Sequence, residues 1–83
     1  MEPKDPGTIA REFVSIIRDA RRASREPEVL YASYQLQELI DHVGSHMGFY
    51  SRDPVHAGCI AGFMQRACVE VETRKRKLEG KYA

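Results

Sequence analysis

The chain has 83 residues, of which 42% are hydrophobic and 30% are charged, and its net charge is +1 at pH 7. This length allows one domain with a single core, and the composition excludes disorder over the whole chain. The chain has no apolar run near the roughly 20 residues that span a bilayer and no apolar leader in its first residues, MEPKDPGT, so we expect a soluble, cytoplasmic protein.

Three acid–proline pairs divide the chain: Asp5-Pro6, Glu26-Pro27 and Asp53-Pro54. Proline suits the first turn of a helix, and an acidic residue beside it can cap the free N–H groups there. At the first pair, Thr8 is an alternative cap. The pairs and the apolar spacing between them predict helices over about residues 8–25, 27–50 and 54–78, with frayed termini and no strand.

The first predicted helix has two contrasting faces. The apolar face consists of Ile9, Phe13, Ile16, Ile17 and Ala20. The opposite face carries a row of arginines: Arg11, Arg18, Arg22 and Arg25. This pattern is typical of an amphipathic helix that packs on one side only.

The second predicted helix has a wider apolar stripe. Its main line is Val29, Leu36, Ile40, Val43 and Met47, broadened by Ala32, Leu39 and Tyr50. Tyr31 and Tyr34 stand at its head, just past the arginine row. An arginine edge beside aromatic rings is a candidate binding surface, because these residue types often anchor interfaces.

The third predicted helix carries two apolar faces. The main one comprises Ile60, Phe63, Met64, Ala67, Val71 and Leu78. The second one comprises Val55, Gly58, Ala61, Gly62 and Val69. Glycine destabilises a helix interior, so two glycines four apart indicate close approach of another helix, either helix one or a second copy of the chain. Alternatively, both glycines face water.

The expected fold is therefore all-α. It is a small three-helix bundle, or a helical hairpin with the N-terminal helix packed across it, with homodimerisation as a further way to complete the core. The short connection YSRD makes the second and third helices antiparallel neighbours. Cys59 and Cys68 are nine residues apart on one helix, about 13 Å, which is too far for a disulfide within the chain.

One cluster of side chains could hold a metal ion. It comprises His42, His46, His56 and Cys59. His42 and His46 share a helical face, and a tight hairpin would bring His56 and Cys59 towards them, as in a zinc-stabilised hairpin. The spacing matches no paired-cysteine zinc motif, so ordinary packing is the favoured interpretation and no cofactor is assigned.

No nucleophile–histidine–acid pattern or glycine-rich phosphate loop is visible, and a bundle this small is not expected to form a deep cleft. We therefore expect a non-enzymatic regulator, adaptor or inhibitor that binds a larger protein through Arg11, Arg18, Arg22, Arg25, Tyr31 and Tyr34. The alternative is binding of a nucleotide or nucleic acid by the same basic surface, supplemented by the run TRKRK. An acidic middle segment, residues 26–55, weakens that alternative, because it carries one basic and five acidic residues.

Overall fold

The computed structural model describes residues 2–82, with side chains through Gly80, and contains four helices and no strand within that range. They are α1 (Pro6–Arg22), α2 (Glu26–Ser45), α3 (Met47–Tyr50) and α4 (Pro54–Tyr82). The all-α prediction is confirmed. α1 starts two residues and ends three residues before the predicted bounds, and α4 continues four residues past the predicted end.

Acid–proline pairs open α1 and α4 as predicted. The Asp5 carboxylate accepts a hydrogen bond from the Gly7 N–H at 2.9 Å, and the Asp53 carboxylate accepts one from the Val55 N–H at 2.9 Å. Each bond satisfies an N–H that has no partner inside the helix. The Thr8 alternative is wrong, because Asp5 is the cap of α1.

The middle acid–proline pair works differently. α2 already begins at Glu26, so Glu26 is not its cap; Arg25 occupies that position and its side chain makes no capping bond. The helix begins there because Pro27 lies in the first turn and two glutamates stand at its positive end.

The three long helices each contact the other two around one core. All five predicted apolar residues of α1 are buried, and they meet Leu36, Leu39 and Val43 of α2 and Ile60, Ala67 and Val71 of α4. A small second cluster joins the end of α1, the start of α2 and the late part of α4 through Ala23, Val29 and Leu78. α2 therefore runs antiparallel to both α1 and α4.

The prediction of one continuous helix over residues 27–50 is wrong. His46 leaves the helical region, with φ −123° and ψ 31°, and a short helix restarts at Met47. Because this break changes the phase, Met47 is exposed instead of lying in line with Val43, whereas Tyr50 still reaches the core. Gly44 and Gly48 flank the break, where their low helix propensity favours it.

No helix in the described part of the chain combines the length and the apolar character needed to cross a membrane.

Candidate binding surface

The arginine row of α1 faces solvent. Arg11, Arg18 and Arg22 are exposed on the side opposite the buried stripe. Arg25 is also exposed, but the prediction that it continues the α1 row is wrong, because α1 ends at Arg22 and Arg25 is the residue that precedes α2. A helix ends here because the backbone at Ala23 is extended, with φ −64° and ψ 126°.

These arginines are available for an external partner. Within residues 2–80, no carboxylate forms an ion pair with Arg11, Arg18, Arg22 or Arg25, and Arg11 donates only to the hydroxyl of Thr8 at 3.3 Å. Arg21, one position round the helix, differs. It binds Glu70 of α4 at 2.7 Å, which raises the pKa of the Arg21 guanidinium and lowers the pKa of the Glu70 carboxyl.

The head of α2 presents three large apolar side chains to solvent. Leu30, Tyr31 and Tyr34 are 53%, 63% and 65% exposed. They adjoin one another because residues three and four apart share a helical face. Tyr31 and Tyr34 were expected here, but Leu30 was not. The exposure of Leu30 could have been predicted, because it lies 100° round the helix from Val29 and therefore off the stripe that faces the core.

The two sets of residues lie in the same half of the bundle, where α1 ends and α2 begins. Arg18 and Arg22 belong to the last two turns of α1, Arg25 lies in the connection, and Tyr31 and Tyr34 follow in the first turns of the antiparallel α2. We call these five residues the arginine–tyrosine surface. Arg11 continues the exposed face of α1 about 16 Å from Arg22, and its part in partner binding stays a prediction.

Charge on this surface is mixed. Three exposed acidic residues accompany its three arginines: Asp19, Glu26 and Glu28. The late basic run of α4 is also less available than its sequence indicates. Arg74 donates to backbone carbonyls of α1, and Arg76 lies 3.7 Å from Glu72. Neither surface is therefore a continuous strip of positive charge.

The four candidate metal ligands do not converge. The rings of His42 and His46 are in contact, tilted, with centroids 4.7 Å apart, but His56 and Cys59 are exposed, and His56 faces Asp53 at 3.5 Å. No group of three or more potential ligands within the described residues is placed to hold a metal ion. The geometry gives no support to a zinc-stabilised hairpin.

His42 instead belongs to a hydrogen-bonded set at the far end of α2. Its Nε2 accepts the backbone N–H of Lys4 at 3.1 Å, and the Tyr50 hydroxyl donates to the Lys4 carbonyl at 2.6 Å. Burial, followed by the charges of His46 and Lys4, lowers the pKa of His42, and burial raises the pKa of Tyr50. These contacts of Lys4 could not be predicted from the sequence, because His42 is 38 positions and Tyr50 is 46 positions away along the chain.

A groove of about 890 Å³ lies between α1 and α2, larger than expected for so small a bundle. Its walls include Lys4, Glu12, Ser15, Glu38, His42 and Ser45. The Lys4 ammonium and the Glu12 carboxylate pair at 2.9 Å. The walls of the groove therefore combine charged and polar side chains with the apolar Ile16 and Leu39, and the segment before α1 contributes one of them.

The second apolar face of α4 is uncovered. Val55 and Val69 are 71% and 58% exposed, and Gly58, Ala61 and Gly62 are exposed with them. A Cβ atom placed on Gly58 or Gly62 would meet no atom within 4 Å. Close approach of helix one at these glycines is therefore ruled out, since α1 packs on the other side of α4. Self-association through this face stays a prediction.

No protein-family model, curated protein or solved structure shows a significant match to this chain.

Proposed function

We propose that this protein is a non-enzymatic regulator, adaptor or inhibitor that docks on a larger protein through the arginine–tyrosine surface. The observation that carries this proposal is the exposure of Leu30, Tyr31 and Tyr34 in the half of the bundle that also carries exposed arginines without an ion-pair partner. Grouped large apolar side chains on the surface of a small monomer are typical of an interaction site. Tyrosine and arginine are the residue types that contribute most to such sites.

The distribution of charge supports a protein partner over a nucleic acid. A phosphate-binding surface gains its affinity from a concentration of positive charge. Here Asp19, Glu26 and Glu28 lie among Arg18, Arg22 and Arg25, so a polyanion would meet repulsion as well as attraction. A protein surface can match both signs at separate positions around an apolar centre.

The expected partner therefore presents an apolar pocket or groove to the two tyrosines, with carboxylates placed at its rim to meet the arginines. A tyrosine that becomes buried in such a pocket contributes on the order of 2 kcal/mol, which is about 30-fold in Kd. The proposal places this interaction in the cytoplasm. Its support is the exposed pair of free cysteines, Cys59 and Cys68, which suits a reducing compartment.

The test is native mass spectrometry of the protein isolated from its own host, followed by affinity measurements on any protein that copurifies in fixed stoichiometry. We expect Tyr34→Ala to weaken that complex about 30-fold. We also expect Arg18→Glu with Arg22→Glu to slow its association. Arg66→Glu, an exposed arginine on α4, is the matched control and should leave the affinity unchanged.

Two results would contradict the proposal. One is a complex that the Tyr34 and Arg18/Arg22 variants bind as tightly as the unaltered protein does. The other is micromolar binding to a random DNA duplex or RNA strand that weakens steeply between 50 and 200 mM salt and is lost in the arginine variants, as on the order of several phosphate contacts would give. The second result would establish the nucleic-acid alternative.

A further inference from the structure

The segment before α1, residues 2–5, crosses the end of α2 and is held there by both backbone groups of one residue. The N–H of Lys4 donates to His42 Nε2 at 3.1 Å, and the carbonyl of Lys4 accepts from the Tyr50 hydroxyl at 2.6 Å. We call residues 2–5 the N-terminal strap. The Lys4 side chain also reaches Glu12, so one residue ties the strap to α1, α2 and α3.

The bond to His42 fixes the protonation state of that imidazole. Nε2 can accept a hydrogen bond only when it carries no proton, so the single proton of the neutral ring must be on Nδ1. When Nε2 takes up a proton from water, it becomes a donor that faces another donor, the Lys4 N–H. The ring and the strap then repel each other at the place where they were bonded.

We propose that the N-terminal strap is an acid-released closure of the groove between α1 and α2, with His42 as the residue that senses pH. Lys4 and His42 both line this groove, so their separation removes part of its wall. Release leaves the three long helices in place, because the strap contributes no residue to the buried core. The device changes access to the groove and leaves the fold intact.

The groups that face His42 set the direction of the switch. The His46 ring lies 4.7 Å away and tilted, and the Tyr50 ring of α3 lies 6.2 Å away. The Lys4 ammonium approaches from the strap, and Glu12 approaches from α1. Burial, His46 and Lys4 lower the pKa of His42, whereas Glu12 raises it. The neutral ring that holds the strap is therefore favoured in the folded protein.

The sign of the pH dependence follows from this direction. The pKa of His42 in the folded protein lies below the ordinary histidine value of 6.5, which applies when the chain is unfolded. Above pH 6.5 the strap stays bound, because the His42 ring is then neutral in both the open and the closed state. The closure weakens as the pH falls through the pKa of folded His42, since the open state binds the proton more tightly than the closed state does.

This inference is independent of the arginine–tyrosine surface. Tyr34 and Tyr31 stand eight and eleven residues before His42 on α2, which is about 12 to 16 Å along the helix. A variant that alters the strap should leave partner binding at the other end unchanged, and the reverse should also hold. Failure of one proposal can therefore be told from failure of the other.

Nuclear magnetic resonance between pH 8 and pH 5 tests the closure directly. The Lys4 amide resonance should move with the same midpoint as the His42 ring protons. Exchange of the Lys4 amide hydrogen with solvent, corrected for its intrinsic pH dependence, should rise about tenfold across that midpoint, as expected when a single hydrogen bond is lost. A neutral paramagnetic cosolute should then reach the methyl groups of Ile16 and Leu39, which line the groove and are buried, more readily.

Three variants sharpen the test. In His42→Gln the side chain at position 42 does not titrate, so the pH dependence at Lys4 should disappear. Tyr50→Phe removes the second bond to the strap, so the closed state resists protonation less and the midpoint should rise towards 6.5. His56→Gln, which alters an exposed histidine outside this set, should behave like the unaltered protein.

A Lys4 amide that stays protected while the His42 ring titrates would overturn the proposal. So would an unchanged pH midpoint at Lys4 in the His42→Gln variant, because another group would then be responsible for it.

Discussion

Arg74, on α4, caps the C-terminal end of α1. Its Nε donates to the Ala20 carbonyl at 3.1 Å and its terminal nitrogen donates to the Arg21 carbonyl at 2.6 Å. Both carbonyls belong to the last turn of α1, where acceptors lack a partner inside the helix. The guanidinium also brings positive charge to the negative end of the helix dipole. Arg74 thus stabilises α1 although it lies more than 50 residues further along the chain.

We predict that Arg74→Ala lowers the free energy of unfolding by about 1.5 to 3 kcal/mol, the usual contribution of hydrogen bonds to a charged group. Arg74→Lys should restore less than half of this loss, because an ammonium cannot reproduce the two-donor geometry of the guanidinium. Urea titrations followed by circular dichroism at 222 nm measure both changes.

Arg76 supplies the control for that prediction. It belongs to the same basic run, but its side chain is largely exposed and its pairing with Glu72 is loose, at 3.7 Å. Arg76→Ala should change the unfolding free energy by no more than about 0.5 kcal/mol. Equal losses for Arg74→Ala and Arg76→Ala would show that the capping contacts contribute nothing specific.

At the scale of elements, helix phase could be read from the sequence but helix ends could not. The buried stripe of α1 and the exposed arginines followed from residues that recur at 100° intervals. The end of α1 is capped by Arg74 of α4, and the break at His46 accompanies a Tyr50 bond to Lys4. Contacts between distant residues leave no periodic signal, so Arg25 and Met47 were misplaced.

The same limit applies to the candidate sites. Tyr31, Tyr34 and the α1 arginines were identified because their exposure follows from helix phase alone. The groove and the strap could not be predicted, because they depend on three elements that meet around Lys4. In the histidine cluster the sequence indicated a site that the fold does not form. Four suitable ligands are close in sequence, but the fold brings only His42 and His46 together.

The second apolar face of α4 leads to a prediction about Gly58 and Gly62. Because a Cβ at Gly58 or Gly62 would meet nothing within 4 Å, alanine fits both positions without a clash in the monomer. Alanine is also the better helix former, so each substitution should raise the unfolding free energy by about 0.5 to 1 kcal/mol. Thermal unfolding at low protein concentration measures this effect.

The same two variants test self-association. If two copies meet through Val55, Gly58, Ala61, Gly62 and Val69, methyl groups at Gly58 and Gly62 would hold the helices apart. Sedimentation equilibrium should then show a weaker dimer for the alanine variants, even though the monomer is more stable. A dimer unaffected by both variants would place the contact on another face, and a monomer at all concentrations would remove the prediction.

At the scale of the whole molecule, one helix sets the dimensions. α4 has 29 residues, which is about 43 Å of helix, and the longest extent of the protein is 45 Å. α1 and α2 pack along this helix, with the main core against its first half and the small cluster at Leu78 further on. With so few buried residues, each large side chain of the main core contributes a considerable share of the stability.

Phe13 tests this dependence on one core. It is fully buried, at 0% exposure, among residues of α1, α2 and α4, whereas Phe49 is 37% exposed beside the break after α2. Phe13→Ala should lower the unfolding free energy by about 3 to 5 kcal/mol, through lost burial and the cavity left behind. A chain of this length has a total unfolding free energy of only about 4 to 12 kcal/mol, so the variant should be partly unfolded at 37 °C.

Phe49→Ala removes the same atoms from a partly exposed position and should lower the unfolding free energy by about 1 kcal/mol or less. Calorimetry of both variants compares the two costs, and similar melting temperatures would mean that the three long helices do not share the core described here.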